Sequence, residues 1–545
     1  MPDVSEDREA TATEEPDGQG PRRSPLALLR PALGALSGLL AGFAALATAE
    51  LASVPVRREA GPVTAVGGAV IDRTPAAVKD FAIRTFGSND KLALQVGIVA
   101  ILGLVAVGLG LLALRRRAAG SAGVLLFGVI GALAAAGRPD SGPVDPLPSL
   151  LGAVIGAGVL YLLAGALSRP APSESEPDAP DGSFDRRRFV LAATAAAAAS
   201  AAAGVTGQRL NATGGAEAVA SRRAVTLPQP ASPARPVPRG ADLKVPGMRP
   251  FITPNAKFYR VDTALVVPRV DATRWRMRIH GKGVSRPLTV GFDDLLSREL
   301  IERDVTLTCV SNEVGGPYVG NARWIGVRLA DLLREAGVRP PSQGGPADQL
   351  VARSVDGMTI GSPVETVMDG RDAMLAIGMN GEPLPFDHGF PVRMVVPGLY
   401  GYVSACKWIE DIELTTFDDY DAYWVKRDWA REAPIKTQSR IDTPKPFAQV
   451  KRGTVPVAGV AWAQHRGISR VEVRVDGGEW HTARLGAEDT EDTWRQWVWE
   501  WPATSGSHTL EVRATDREGR TQTGKRVGTV PDGATGRHSV VVQVP

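Results

Sequence analysis

Two stretches of this chain hold side chains that could do chemistry. Thr306-Leu-Thr-Cys-Val-Ser-Asn-Glu-Val-Gly-Gly316 contains Cys309, one of two cysteines in 545 residues. An alternating apolar run (Val305, Leu307, Cys309) leads into Ser311, Asn312 and the pair Gly315-Gly316. The pattern predicts a strand whose end delivers a thiol into a glycine-rich turn, where backbone N–H groups can face a ligand. A thiolate is a soft donor suited to a transition metal, and small polar neighbours leave room for a large anionic cofactor. The plain alternative is a small buried hydrophobe at a strand end. The second stretch spans Phe386 to Ile409, where His388, Arg393 and Lys407 are spread among glycines. Such donors suit a phosphate or other anion. Singly, each is also an ordinary surface charge or a structural histidine. Cys406 lacks a glycine turn and reads as structural.

Composition removes several alternatives. A formal net charge of +3 over 545 residues gives no basic field for nucleic acid. Two distant cysteines form no disulfide framework and are too few for a sulfur-rich zinc or iron–sulfur site. No histidine precedes His280 and no C-x-x-C-H occurs, so no haem is expected in this chain.

The elements that must carry these residues fall into two unlike halves. Residues 1–25 are acidic and aperiodic, predicting a disordered tail. Residues 26–205 predict a membrane anchor of five transmembrane helices in the lipid bilayer, over Leu26–Leu51, Leu92–Leu114, Ser121–Gly137, Leu150–Leu167 and Phe189–Val205. Arg22, Arg23 and Arg30, Arg115–Arg117 and Arg186–Arg188 place these flanks in the cytoplasm and the chain after residue 206 outside. Arg57, Arg58, Arg73 and Lys79 in the first long loop argue mildly the other way. The run Asp185-Arg-Arg-Arg-Phe-Val-Leu191 also reads as a twin-arginine export signal, which serves domains that fold before crossing. No span carries a central Asp, Glu, Lys or His, so the helices read as an anchor of a multi-pass cell-membrane protein and not as an ion path. Residues 206–247, with Pro228, Pro230, Pro233, Pro236 and Pro238, predict a semi-rigid linker.

In residues 248–430, short strands and helices mix without βαβ alternation, which predicts an α+β domain. From 431 to 545 the alternating runs Val471–Val475, Thr509–Ala514 and Ser539–Val544, with the tight turn Asp476-Gly477, predict an immunoglobulin-like β-sandwich. The cluster Trp494, Trp497, Trp499 and Trp501 reads as its core.

From about residue 245 onward the chain resembles the sulfite oxidase family of molybdopterin enzymes. The likeness rests on Asp387-His-Gly-Phe-Pro-Val-Arg393, the Val-Val-Pro-Gly398 after it, and Ser404-Ala-Cys-Lys-Trp408. Cys309, with Ser311 and Asn312, matches a C-x-x-N pattern, and Asn255 in Thr-Pro-Asn matches an early cofactor-contacting asparagine. The resemblance implies a molybdenum–molybdopterin cofactor, with Cys309 as metal ligand and Asn255, Ser311, Asn312, His388, Arg393, Ser404 and Lys407 as cofactor contacts. It makes 248–430 the catalytic domain and 431–545 a dimerisation domain, hence a homodimer. It further implies two-electron chemistry, usually oxygen-atom transfer, on a small-molecule substrate. With no haem expected, electrons go to or come from a separate membrane or periplasmic partner.

The departures bear on the substrate. Glu313 and Val314 stand where sulfite-oxidising members carry arginines, and Trp429 in Trp424-Val-Lys-Arg-Asp-Trp429 stands where they carry a tyrosine. An acidic Glu313 would repel sulfite and an indole donates no phenolic proton, so sulfite is not the expected substrate. Glu313 is a candidate general acid or base, and Tyr318 a candidate replacement for the tyrosine. The competing reading is a non-catalytic binding module displayed on a membrane anchor.

Overall fold

The computed structural model describes residues 25–57, 60–74, 78, 90–138, 141–168 and 186–545. The expected disordered tail lies almost wholly outside the described residues, as do Arg22, Arg23, Arg58, Lys79 and Asp185. The chain forms two compact units, one of N-terminal helices and one made mainly of residues 209–545.

The helical elements are α1 (Pro25–Ser53), α2 (Pro62–Arg73), α3 (Asp90–Arg115), α4 (Arg117–Ala136), α5 (Leu147–Ser168) and α6 (Arg186–Ala224). Among the described residues, five of them (all except α2) are long and apolar enough to cross a membrane. Helix α1 meets α3 and α5 at small residues. A Cβ at Gly38 would collide with Ala106 O, one at Gly110 with Gly34 O, and one at Gly152 with Ala45 O. Close backbone approach at Gly and Ala lets apolar helices pack tightly through van der Waals contact.

The expected linker takes a different form. The alanine-rich sequence carries α6 on to Ala224, because alanine continues a helix at no side-chain entropy cost. In the second unit Arg222 donates from Nε to Leu384 O and from Nη2 to Pro383 O, each at 2.7 Å. The proline-rich stretch then lies along the domain surface and does not stand off it. Ser232 N–H donates to Leu300 O at 3.1 Å and Ser232 O accepts from Glu302 N–H at 2.9 Å. An extended, proline-bearing chain has few N–H groups to satisfy and suits a strand edge.

The α+β domain contains β1 (Arg276–Gly281), β2 (Leu288–Gly291), β3 (Leu300–Thr308), β4 (Val319–Arg328), β5 (Gln349–Ser354), β6 (Thr359–Pro363), β7 (Met374–Met379), β8 (Glu382–Pro383), β9 (Arg393–Val395) and β10 (Ile409–Thr415). One sheet is ordered β2-β1-β10-β5-β6, with β1 and β10 parallel. The other is ordered β3-β4-β7-β8, with β9 pairing to β7. The C-terminal strands are β11 (Gln438–Thr443), β12 (Gly453–Trp462), β13 (Ile468–Val475), β14 (His481–Thr482), β15 (Arg484–Leu485), β16 (Arg495–Ala503), β17 (Gly506–Asp516) and β18 (His538–Val544). They form antiparallel sheets ordered β11-β12-β16-β15 and β14-β13-β17-β18, which enclose Val457, Trp497, Trp501, Leu510, Val512 and Val540. Positive φ at Asp476 (50°) and Gly477 (74°) makes the expected tight turn after β13.

The two domains share one seam. Val460, Trp462 and Trp494 of the sandwich pack into the hydrophobic core of the α+β domain. Trp494 donates its backbone N–H to Thr306 Oγ1 at 2.7 Å and its indole N–H to Phe251 O at 2.9 Å. Thr306 N–H donates to Asp492 O at 3.0 Å, and Gln464 Nε2 donates to Thr306 O at 2.8 Å. Strand β3 is outermost in its sheet, so the strap at Ser232 and the sandwich at Thr306 together cover its open edge.

Trp494→Ala should cost about 3–5 kcal/mol, because it empties a filled core position and removes one of the two hydrogen bonds that Phe251 O accepts, leaving the one from Asn321 Nδ2. Guanidinium unfolding followed by far-UV circular dichroism should show the α+β domain and the sandwich melting at a lower midpoint. An unchanged midpoint would rule out the seam as a stabilising element.

Candidate active site

Strands β3 and β4 pair up to Thr308 and Val319, and the residues between them form the turn that holds Cys309. Cys309 N–H donates to Tyr318 O at 3.0 Å, closing the turn at its base. Asn312 N–H donates to Cys309 O at 3.0 Å, and Asn312 Oδ1 accepts from Tyr318 N–H at 2.8 Å. Buried Asn312 therefore pins both ends of the turn. Burial pushes the Cys309 thiol up, while hydrogen bonds from the Ser311 N–H and hydroxyl and the charge of Lys407 pull it back. A bound metal would complete the deprotonation.

The cationic groups come from elements that converge beside this turn. Arg393, on β9, bridges backbone to backbone with Lys407. Gly389, at φ 106°, lets them approach: a Cβ there would lie 3.0 Å from Arg393 Cβ and 3.1 Å from Lys407 Cβ. Arg393 is 5% exposed, sits 4.9 Å over the Trp324 ring, and donates from Nη1 to His388 O at 3.4 Å. Its Nε is buried with no partner among the described residues. Burial lowers this guanidinium to about 10. Lys407 Nζ donates to Asp262 Oδ2 at 2.7 Å and to Asp387 O at 3.3 Å, and burial lowers it to about 8 despite Asp262. Burial, then Arg393, hold His388 near 4. Its neutral ring then donates from Nε2 to Asn255 O at 3.1 Å.

The structure thus gathers Cys309, Ser311, Asn312 and Tyr318 in one turn, and Asn255, His388, Arg393 and Lys407 in an adjacent pocket. Asn255 is engaged through both side-chain atoms, donating to Met379 O at 3.2 Å and accepting from Asn380 Nδ2 at 2.7 Å. Ser404 is fully buried and its hydroxyl donates to Leu399 O and Tyr400 O, both at 3.0 Å, so it serves the local turn. Glu313 is exposed at the turn, and its carboxylate makes no hydrogen bond or ion pair among the described residues. Trp429 packs 5.5 Å from Tyr402 and 6.0 Å from Trp424. Cys406 is buried and its thiol pushed up by burial.

Sequence reasoning missed Tyr259 and Tyr400. Burial, and next the nearby Cys309, push the Tyr259 phenol above its usual range, while Arg393 opposes them. Its ring lies 6.3 Å from that of Tyr318. The Tyr400 phenol is likewise raised, chiefly by burial, with Cys309 among the contributors. Neither tyrosine lies in a chemically distinctive motif, so no local signal marks them. Asp262, the buried counter-ion of Lys407, was missed for the same reason.

The donor set fits a molybdopterin. Arg393 and His388 are buried, the Lys407 side chain is 10% exposed against the buried Asp262 carboxylate, and the orphaned Arg393 Nε calls for an anion. Among the described residues no group of three or more His, Cys, Asp or Glu could hold a metal, so Cys309 would be one protein ligand to a metal held otherwise by its cofactor.

Comparison with known proteins agrees with that chemistry. Residues 264–424 match the oxidoreductase molybdopterin binding domain, and residues 438–512 match a bacterial Ig domain. Mitochondrial sulfite oxidase of Homo sapiens is 31% identical over 324 residues, covering 50% of this chain and 59% of that protein. Sulfite oxidase of Gallus gallus is 33% identical over 290 residues, covering 46% and 62%. This chain is similar to the sulfite oxidases through the oxidoreductase molybdopterin binding domain at residues 264–424. It spans about three fifths of the length of those curated relatives. The solved sulfane dehydrogenase SoxCD from Paracoccus pantotrophus is similar at 25% identity with a TM-score of 0.47, over 54% of this chain and 84% of that one. The family's molybdopterin-binding domain implies molybdenum–molybdopterin as the cofactor.

The pocket makes a pH prediction for the cofactor-free protein. His388 is near 4 in the fold and near 6.5 unfolded, so between these values the unfolded chain binds more protons. Stability is full above pH 6.5 and falls as pH drops towards 4, by up to about 3 kcal/mol from this residue. Melting temperatures across that window should fall less steeply for His388→Gln. They should also fall less steeply with cofactor bound, since a nearby anion raises the imidazole. Identical slopes in all three would contradict the assignment.

Proposed function

We propose that this chain is a membrane-anchored molybdenum-dependent oxidoreductase whose catalytic half lies on the extracytoplasmic side. The observation that carries the reading is a buried, under-neutralised cationic pocket, centred on Arg393, beside a turn that presents the Cys309 thiol. Molybdenum–molybdopterin, when bound, supplies two-electron redox chemistry with transfer of an oxygen atom. Cys309 contributes the protein thiolate, and Ser311 steadies the sulfur through its N–H and hydroxyl. Arg393 and Lys407 receive the anionic part of the cofactor by charge and donated N–H groups, and His388 joins them once the anion raises its imidazole and the second ring nitrogen is protonated. Asp262 orients Lys407, and Asn380 orients Asn255.

Burial keeps the Tyr259 phenol protonated near Cys309, where it acts as a neutral donor to a substrate or to water, whereas the Tyr400 hydroxyl lies against Gly533 and the Lys436 N–H. We infer a small oxide or oxyanion as substrate. Two considerations oppose each other on sulfite. The relatives named above are sulfite oxidases, whereas Val314 and Trp429 replace an arginine and a tyrosine in the family pattern. The repulsion expected from Glu313 is weakened by its exposure to solvent. Sulfite therefore belongs in the same screen as sulfoxides and N-oxides. Electrons are exchanged with a separate membrane or periplasmic partner, and the sandwich supplies a homodimer contact. Basic residues Arg30, Arg115–Arg117 and Arg186–Arg188 beside the apolar helices support cytoplasmic flanks and an exported C-terminal half.

Purified from a cofactor-competent host, the wild-type chain should carry molybdenum and release pterin on denaturation. Cys309→Ser should retain pterin but lose redox turnover to background, whereas Arg393→Met should lower pterin content itself. A folded wild-type chain with neither metal nor pterin, or a Cys309→Ser variant turning over at wild-type rate, would refute the reading.

A further inference from the structure

The turn behind Cys309 is gripped from the sandwich side. Arg440, on β11, is 3% exposed and donates from Nη1 to Gly316 O at 2.8 Å. Its Nε donates to the equally buried Asp442 at 2.8 Å, and its Nη2 is buried without a partner. His538, at the start of β18, accepts the Ile441 N–H on Nδ1 at 3.0 Å. The other edge of the ring lies against Gly315, where a Cβ would come 2.9 Å from Cγ and nearer still to Cδ2 and Nε2. Gly315 has φ +80°, so the turn needs glycine there on backbone grounds as well.

We propose that Arg440 and His538 are positioning residues for the redox site: through them the sandwich sets where the turn holds the Cys309 sulfur. This rests on Cys309 being the metal ligand. The route from guanidinium to sulfur is short and continuous. Arg440 fixes Gly316 O, and Gly316 N–H donates to Glu313 O at 2.8 Å. A Cβ at Gly316 would lie 2.7 Å from Asn312 Oδ1, so Gly316 and Asn312 are in direct contact, and Asn312 N–H donates to Cys309 O at 3.0 Å. A buried ion pair that leaves one N–H unsatisfied is a poor way to add stability, and an apolar pair would do at least as well. What the guanidinium adds is one directed bond to one carbonyl of the ligand-bearing turn.

The test uses the full chain, made with and without cofactor, in six variants: Gly315→Ala, His538→Ala, Gly315→Ala/His538→Ala, Arg440→Lys, Arg440→Met and Asp442→Asn. In cofactor-free protein, alkylation of Cys309 by iodoacetamide is followed by mass spectrometry, with buried Cys406 as internal control. In loaded protein, the Mo(V) paramagnetic spectrum reports the metal's thiolate geometry. Gly315→Ala and Arg440→Met should each change the alkylation rate about tenfold, the scale expected for a group one layer behind a metal ligand. Removing the ring should relieve Gly315→Ala in the double variant, and Arg440→Lys should fall between Met and wild type. The spectra should shift in the same order. Rates and spectra at wild-type values, no relief in the double variant, or changes that only follow the unfolding midpoint across all six would overturn the proposal. A wild-type chain that binds no molybdenum would instead remove Cys309 as ligand, while the alkylation rates would still report how the turn is held.

Discussion

Strand β3 has an edge that its own sheet leaves open, and the hydrogen-bonding demand of that edge ties the second unit together. Unpaired N–H and C=O groups away from water cost free energy of the order of a lost hydrogen bond each. Ser232 of the strap answers Leu300 and Glu302, and Asp492 and Gln464 of the sandwich answer Thr306. The strand that runs directly into Cys309 is thereby held along its length by two segments distant in sequence. Loops are ordinarily the mobile part of a fold. Here the loop with the reactive thiol is anchored at its base by Cys309 and Tyr318, internally by Asn312, and from the sandwich by Arg440.

The electrostatic arrangement beside it works in the opposite sense. Arg393, Lys407 and His388 are taken out of water where their charged forms are disfavoured, and each is displaced towards its neutral state. Asp262 compensates Lys407, but among the described residues nothing fills the demand at Arg393 Nε. Such a pocket stores unfavourable free energy until an anion enters, and ligand binding then returns it as stability.

Much of this was legible in the residues. Period-two runs such as Val471–Val475 announced the sandwich strands, while Cys309 stood out as one of two cysteines ahead of a glycine pair and Arg393 as one of several donors spread among glycines. Ser404 was placed in the right neighbourhood, but its hydroxyl closes a local turn, a detail that depends on where Leu399 O and Tyr400 O point. The proline-rich stretch was expected as a spacer because composition reports stiffness and not what surface lies within reach; its docking depends on the β3 edge, set by residues 300–308. Arg440 and His538 were invisible for a related reason. Each is an ordinary strand residue until the fold brings it against a turn more than a hundred positions earlier in the chain.

The distribution of charge around the thiol also constrains what the site can select. The strong cations lie on the side of Arg393 and Lys407, and an anionic cofactor would use them first. What then remains near Cys309 are the Tyr259 phenol, kept neutral by burial, and the hydroxyl of Ser311. Neutral donors reward hydrogen-bond acceptors of modest charge more than a dianion, whose desolvation they compensate only in part. Arg440 does not fill the gap, because its free N–H is buried behind the turn and its other donors are committed to Gly316 and Asp442. On the proposed reading, selectivity would depend on which acceptor oxygen can reach the Tyr259 phenol, more than on a cationic trap for the substrate.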